Sequence, residues 1–184
     1  MAHELPVILE RRETRLSPWV SVMAKTLTIP SRKASEIFHS LCQADYVSVL
    51  AVTEDGRIPL VRQYRPALER LTFELPGGLQ DNSDSPDATA VRELAEETGL
   101  NISGAPQLIG CLAPDTGRLE NKMWGFFVRA DSKVSHDWCP ESGVECLLVN
   151  KAELRGLILD GKFDHALHIA LIGLATMRGF FNWD

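Results

Sequence analysis

The chain has 184 residues, of which 45% are hydrophobic and 24% charged, and a formal net charge of −6 at pH 7. This length is enough for a real core, and the balance excludes a disordered chain and a nucleic-acid backbone as the main partner. No apolar run approaches the roughly 20 residues that a membrane helix needs, so a membrane partner is not expected.

Met1 to Leu16 alternates acids, bases and apolar residues without the continuous apolar core of a signal peptide, so the cytoplasm is the expected compartment. Cys42, Cys111, Cys139 and Cys146 lie far apart with no C-x-x-C pair, which predicts reduced, buried thiols and neither a zinc site nor a disulfide framework. The β-branched, apolar Trp19–Ile29 reads as a strand, and Ser35–Leu41 is a weaker candidate. Tyr46–Val52 reads as a buried strand. The turn residues Glu54, Asp55 and Gly56 connect it to Ile58–Tyr64 as a hairpin. Leu71–Leu75 is a short strand that stops at Pro76-Gly77-Gly78.

A helix is predicted over Pro86–Thr98, with Ser85 as cap, Pro86 at its first position, Asp87 at its positive end and Gly99 as its stop. Further strands are expected at Gln107–Leu112, Met123–Arg129 and Val144–Val149, with Trp124, Phe126 and Phe127 in the core. Two helices follow, Lys151–Leu159 and Asp164–Met177, separated by Gly161 and Phe163. His165 and His168 have a spacing that could hold a metal. Set among Ala166, Leu167, Ile169 and Ala170, they read as packing or surface residues. This order of strands and helices predicts an α/β fold with a mixed sheet covered by helices.

On the helix 86–98, Ala88, Val91, Leu94, Ala95 and Thr98 share one stripe, the expected core face. Glu93 and Glu97 stack on nearly the opposite side, Glu96 lies about 100° from Glu97, and Arg92 lies beyond Glu96. Like charges at this spacing destabilise a helix by a few tenths of a kcal/mol. Hard divalent cations offset such repulsion well, since Mg²⁺ prefers carboxylate oxygens. A solvated helix face is the plain alternative. The preceding Glu74-Leu75-Pro76-Gly77-Gly78 turn favours a cation cradle, because glycine permits close backbone approach beside those carboxylates.

Gly78, Asp84, Arg92-Glu93-Leu94, Glu96-Glu97, Gly99 and Leu100 resemble the Nudix box, G-x5-E-x7-R-E-U-x-E-E-x-G-U with U aliphatic. Asp84 stands where the family has Glu. The resemblance implies an α/β/α sandwich around a mixed sheet. It also implies that Glu93 and Glu97 ligate Mg²⁺ (Mn²⁺ as an alternative), with Glu96 assisting, the Gly77 carbonyl completing the site, and Arg92 orienting the glutamates. The implied reaction is attack of metal-activated water on a diphosphate.

Val61-Arg62-Gln63-Tyr64-Arg65-Pro66 and Phe73–Leu79 resemble the ADP-ribose and nucleoside-diphosphate-sugar pyrophosphatase branch. That resemblance implies that Arg65 holds a substrate phosphate and that Glu74 lies near the metal site or terminal ribose. It also implies a homodimer in which an N-terminal β-segment, residues 1–44, is exchanged onto the hydrolase domain, residues 45–184. Trp19 would stack on a nucleobase, with a core or interface role as the alternative. The implied catalytic base is Glu141, or else Glu145. The loop Ala113–Lys122 stands at the family's substrate loop but reads Ala113-Pro114-Asp115 where the family has Ser-Pro-Gly, and Arg118 and Glu120 there could contact the sugar. The expected substrate is a nucleotide sugar of the ADP-ribose or ADP-sugar type. Dinucleoside polyphosphates, nucleoside triphosphates or a non-catalytic nucleotide sensor are the alternatives.

Overall fold

A computed structural model of the chain describes residues 5–32, 34–80 and 83–184. They fall into two compact units, the chain up to Ala44 with Ala113–Lys122, and Asp45–Leu112 with Met123–Asp184. Residues 1–4 of the N-terminal stretch lie outside the described residues.

The first unit is built on an antiparallel sheet of β1 (Val7–Arg15), β2 (Ser21–Thr28) and β3 (Glu36–Cys42), in that order. β1 is a strand that the hydropathy pattern does not reveal, because nearly all of VILERRETR is exposed and no apolar face is buried. The strand expected from Trp19 begins at Ser21. Trp19 itself sits in the β1–β2 turn, where the Ser17 hydroxyl accepts the Trp19 and Val20 N–H groups, each at 3.1 Å. Ala113–Lys122 joins this unit through β3: Leu41 N–H donates to the Arg118 carbonyl at 2.7 Å, and the Leu41 carbonyl accepts the Glu120 N–H at 3.1 Å. Glu120 also pairs with Lys25 and with the Ser40 hydroxyl.

In the second unit the decisive element is β4 (Tyr46–Thr53), buried at every position after Tyr46. Successive side chains of a strand face opposite ways, so a strand apolar on both faces must be covered on both. Val47, Val49 and Ala51 pack with Ala90, Leu94, Leu100 and Phe126. Leu50 and Val52 pack on the other side with residues that include Leu154, Leu171 and Ile172. The strands β5 (Ile58–Arg65) and β6 (Arg70–Glu74) follow, then α1 (Pro86–Thr98), β7 (Ile102–Leu112), β8 (Met123–Ala130), β9 (Val144–Val149), α2 (Lys151–Leu159) and α3 (Ala166–Met177). β8 runs parallel to β4 and antiparallel to β7, which makes that sheet mixed. β5 lies antiparallel between β6 and β9, in a different sheet from β4, so the expected β4–β5 hairpin does not form. Helices α1 and α3 thus contribute to opposite cores of an α/β arrangement.

The helix expected over Pro86–Thr98 is present, and Gly99 closes it in the left-handed region at φ 67°, its N–H donating to Ala95. Ser85 occupies the cap position without a side-chain cap bond. The buried face is rotated from the expected stripe. Thr89, Ala90, Leu94, Glu97 and Thr98 are buried, whereas Ala88 is exposed. Glu97 therefore lies on the covered side of α1 and not opposite the core. The cysteines are free but not buried as expected, with Cys111 and Cys139 exposed and Cys42 and Cys146 half-buried. Trp124 is half-buried, its indole N–H donating to Asp45 at 3.0 Å, and Phe126 and Phe127 are core residues. Among the described residues no helix is long and apolar enough to cross a membrane.

Leu94 is fully buried in the core that α1 shares with β4. Truncating such a side chain leaves a cavity, so we expect Leu94→Ala to lower the unfolding free energy by about 2–5 kcal/mol in urea denaturation. A loss under about 1 kcal/mol would mean that α1 is not docked on β4 as described.

Candidate active site

β6 ends where Pro76 and Gly78 pair with β4, the Val49 N–H donating to Pro76 at 2.8 Å and the Val47 N–H to Gly78 at 2.9 Å. The Gly77 N–H turns the other way, toward α1, and donates to Glu97 Oε2 at 2.8 Å. Close approach to backbone requires glycine at Gly77, whereas a side chain at Gly78 would displace the Glu93 carboxylate. A Cβ on Gly77 would lie 2.2 Å from the Val47 carbonyl oxygen, and one on Gly78 would lie 2.4 Å from the Glu93 carboxyl carbon.

Three carboxylates of α1 meet this turn with unequal surroundings. Glu97 is only 8% exposed. Burial pushes its carboxyl up to about 7, against the Gly77 N–H and Arg65, while the charges of Glu93 and Glu74 add to the rise. Glu93 is half-buried and also raised, first by burial and then, against Arg92, by the charges of Glu96 and Glu141. Arg92 bridges Glu93 and Glu96, at 2.8 and 2.9 Å. Glu141 is exposed, yet its charge reaches Glu93. Glu145 stands opposite Arg62 across the β5–β9 pair and is bound to it at 2.6 Å. Asp84 accepts the Gln80 amide through its backbone carbonyl at 2.5 Å.

The carboxylates of Glu93, Glu96 and Glu97 offer hard oxygens beside the Gly77 backbone. The proton affinity of Glu97 is raised first by burial and further by the charges of Glu93 and Glu74. A hard divalent cation fits such a set.

A cleft of about 200 Å³ opens beside the turn, lined among others by Gln63, Arg65, Glu74, Glu97, His165 and His168. Arg65 clamps Glu74 in a two-pronged pair, Nε and one terminal nitrogen each donating at 2.7 Å, and the Thr72 hydroxyl adds a third bond at 2.7 Å. Burial raises the Glu74 carboxyl, but the bonds from Arg65 and Thr72 win and hold it at about 2. The two histidines were not singled out for this site by the sequence. His168 is 4% exposed and its Nδ1 accepts the Leu75 N–H at 3.1 Å, which ties α3 to the end of β6. Burial, then the neighbouring His165, pushes its pKa down to about 3. A helix-start pattern around residue 165 was the available signal. Trp19 and Arg118 belong to the other unit, where Trp19 is 71% exposed and Arg118 is exposed in the 113–122 segment.

Known proteins resemble both the sequence and the fold. Residues 43–168 match the family described as NUDIX domain. An ADP-ribose pyrophosphatase of Bacillus subtilis is 39% identical over 80 residues, covering 44% of this chain and 43% of that protein. An ADP-ribose pyrophosphatase of Saccharomyces cerevisiae is 31% identical over 148 residues, covering 73% of this chain and 62% of that protein. The chain thus aligns with less than half of the first relative and under two thirds of the second. A crystal structure of an ADP compounds hydrolase shares the fold, with a TM-score of 0.78 at 19% identity over 97% of this chain and 96% of that one.

The Glu74 carboxyl lies below its ordinary value of 4.5 when folded. Its stabilising contribution is therefore complete above that value and is lost as pH falls toward about 2. We expect Glu74→Gln to cost about 1–3 kcal/mol at neutral pH, the range for a charged hydrogen bond. Urea unfolding across pH should show that deficit shrinking below about pH 4. A pH-independent deficit would contradict the charged pair.

Proposed function

The chain belongs to the Nudix family, and on that premise we propose that it hydrolyses the diphosphate of a nucleoside-diphosphate sugar. The products are a nucleoside monophosphate and a sugar phosphate, and the cofactor is Mg²⁺, with Mn²⁺ as a substitute. The observation that carries this reading is the closure of the Gly77–Gly78 backbone on the Glu97 and Glu93 carboxylates. The ADP-ribose type of substrate is supported by the relatives named ADP-ribose pyrophosphatase.

Each residue has a definable task. Glu93, Glu97 and the Gly77 carbonyl hold the cation, with Glu96 at its side. When bound, the cation supplies charge neutralisation and a more acidic water. Arg92 holds the Glu93 and Glu96 carboxylates in place through its two ion pairs. Glu141 accepts the proton of the attacking water. It is preferred to Glu145, whose carboxylate is engaged by Arg62. Arg65 spends two nitrogens on Glu74 and turns its remaining edge to a substrate phosphate. In the other unit, Trp19 stacks on the nucleobase and Arg118 contacts the sugar. Both act within a homodimer formed through the N-terminal sheet, whose Val7, Leu9, Ile37 and Phe38 are exposed.

Glu97→Gln keeps the shape and its place beside Gly77 but removes the charge. We expect kcat for ADP-ribose with Mg²⁺ to fall by about 10³-fold or more with an unchanged melting temperature. Near wild-type turnover would remove the metal assignment. For Trp19→Ala we expect a KM increase of about tenfold or more and a smaller change in kcat, from loss of base stacking worth about 1–3 kcal/mol. An unaltered KM would refute the stacking role.

A further inference from the structure

Glu74, His165 and His168 bring one ligand-type atom each within 4.8 Å of one another, a grouping that suggests a second metal site. The bonding argues otherwise. Both Glu74 oxygens are held by Arg65. The two imidazoles stack at 3.7 Å with planes 16° apart, so their in-plane lone pairs do not converge on one ion. Each ring has also committed its Nδ1, His168 to the Leu75 N–H at 3.1 Å and His165 to the His168 N–H at 3.4 Å, where it caps α3. A ring nitrogen that accepts an N–H carries no proton, so a neutral ring carries its proton on Nε2 and donates from there.

The two rings differ in access. His168 is buried under Phe163 and His165, while His165 is half-buried and lines the cleft shared with Gln63, Arg65 and Glu97. Burial lowers the pKa of both, which keeps them neutral near pH 7. The cleft therefore gains a fixed, uncharged donor beside the Arg65 cation, mounted on a ring that is itself locked to β6.

We propose that His165 is a substrate-binding residue whose Nε2–H donates to an oxygen of the bound nucleotide sugar, with His168 as the positioning residue beneath it. This rests on the nucleotide-sugar reading of the same cleft. The oxygen belongs either to the diphosphate or to a sugar hydroxyl.

The test is calorimetric titration of the full chain in EDTA with ADP-ribose and with ADP. Wild type is compared with His165→Phe, which keeps a flat ring on His168, and with His165→Asn, which keeps a side chain suited to capping α3. Loss of one buried hydrogen bond should weaken ADP-ribose binding by about 5- to 30-fold in both variants. An equal loss for ADP assigns the acceptor to the diphosphate, and unchanged ADP affinity assigns it to the sugar. Wild-type affinity in His165→Phe, or a defect confined to His165→Phe with His165→Asn normal, would overturn the proposal. So would stoichiometric Zn²⁺ binding that His165→Phe abolishes. If wild type binds ADP-ribose but shows no Mg²⁺-dependent hydrolysis, the proposed function falls and the affinities still judge His165. If wild type neither binds ADP-ribose in EDTA nor hydrolyses it with Mg²⁺, both fall. If it hydrolyses ADP-ribose but does not bind it in EDTA, the His165 donor falls alone, because that bond needs no metal.

Discussion

The N–H of Gly77 donates to the carboxylate of Glu97, and the candidate site is organised around that bond. It joins the end of β6 to the buried side of α1, so the strand that carries Glu74 and the helix that carries Glu93, Glu96 and Glu97 are held in one register. The bond demands a backbone pressed between β4 and α1. A side chain at Gly77 would strike the Val47 carbonyl, and one at Gly78 would strike the Glu93 carboxylate. The two glycines and the two glutamates are thus one steric and electrostatic unit. Substituting any of them disturbs the others.

That unit concentrates negative charge in a partly buried place, where charge is expensive unless paired. The protein answers in two ways. Arg92 and Arg65 neutralise Glu93, Glu96 and Glu74 with well-formed ion pairs. Glu97 receives the Gly77 N–H but, among the described residues, no ion pair, and its proton affinity rises chiefly because it is buried, with the charges of Glu93 and Glu74 adding to the rise. Under the proposed function, a cation from solution offsets this unpaired negative charge, and the diphosphate of a substrate suits the same field once that cation is present.

Much of this was legible in the residues because the signals are local. The β4 run, the 86–98 helix with its Gly99 stop, and the carboxylate spacing each follow from periodicity or turn chemistry over a few residues. The chain's place in the Nudix family rests on residues 43–168. Other features were hidden because their causes are distant in sequence. β1 has no buried face and so no hydrophobic pattern. The covered face of α1 includes Glu97 because the Gly77 turn offers that carboxylate a partner, which a helical wheel of α1 alone does not contain. His168 becomes a site residue only because the Leu75 N–H, 93 positions away, finds its Nδ1.

The proposed reaction is the attack of water on a diphosphate held at this cluster. Hydrolysis of ADP-ribose in ¹⁸O-labelled water with Mg²⁺, read by mass spectrometry, tests it most directly. The account predicts AMP and ribose phosphate, with one ¹⁸O on the phosphate of one product and none without divalent metal. Unlabelled products, label outside both phosphates, or equal turnover in EDTA would contradict it.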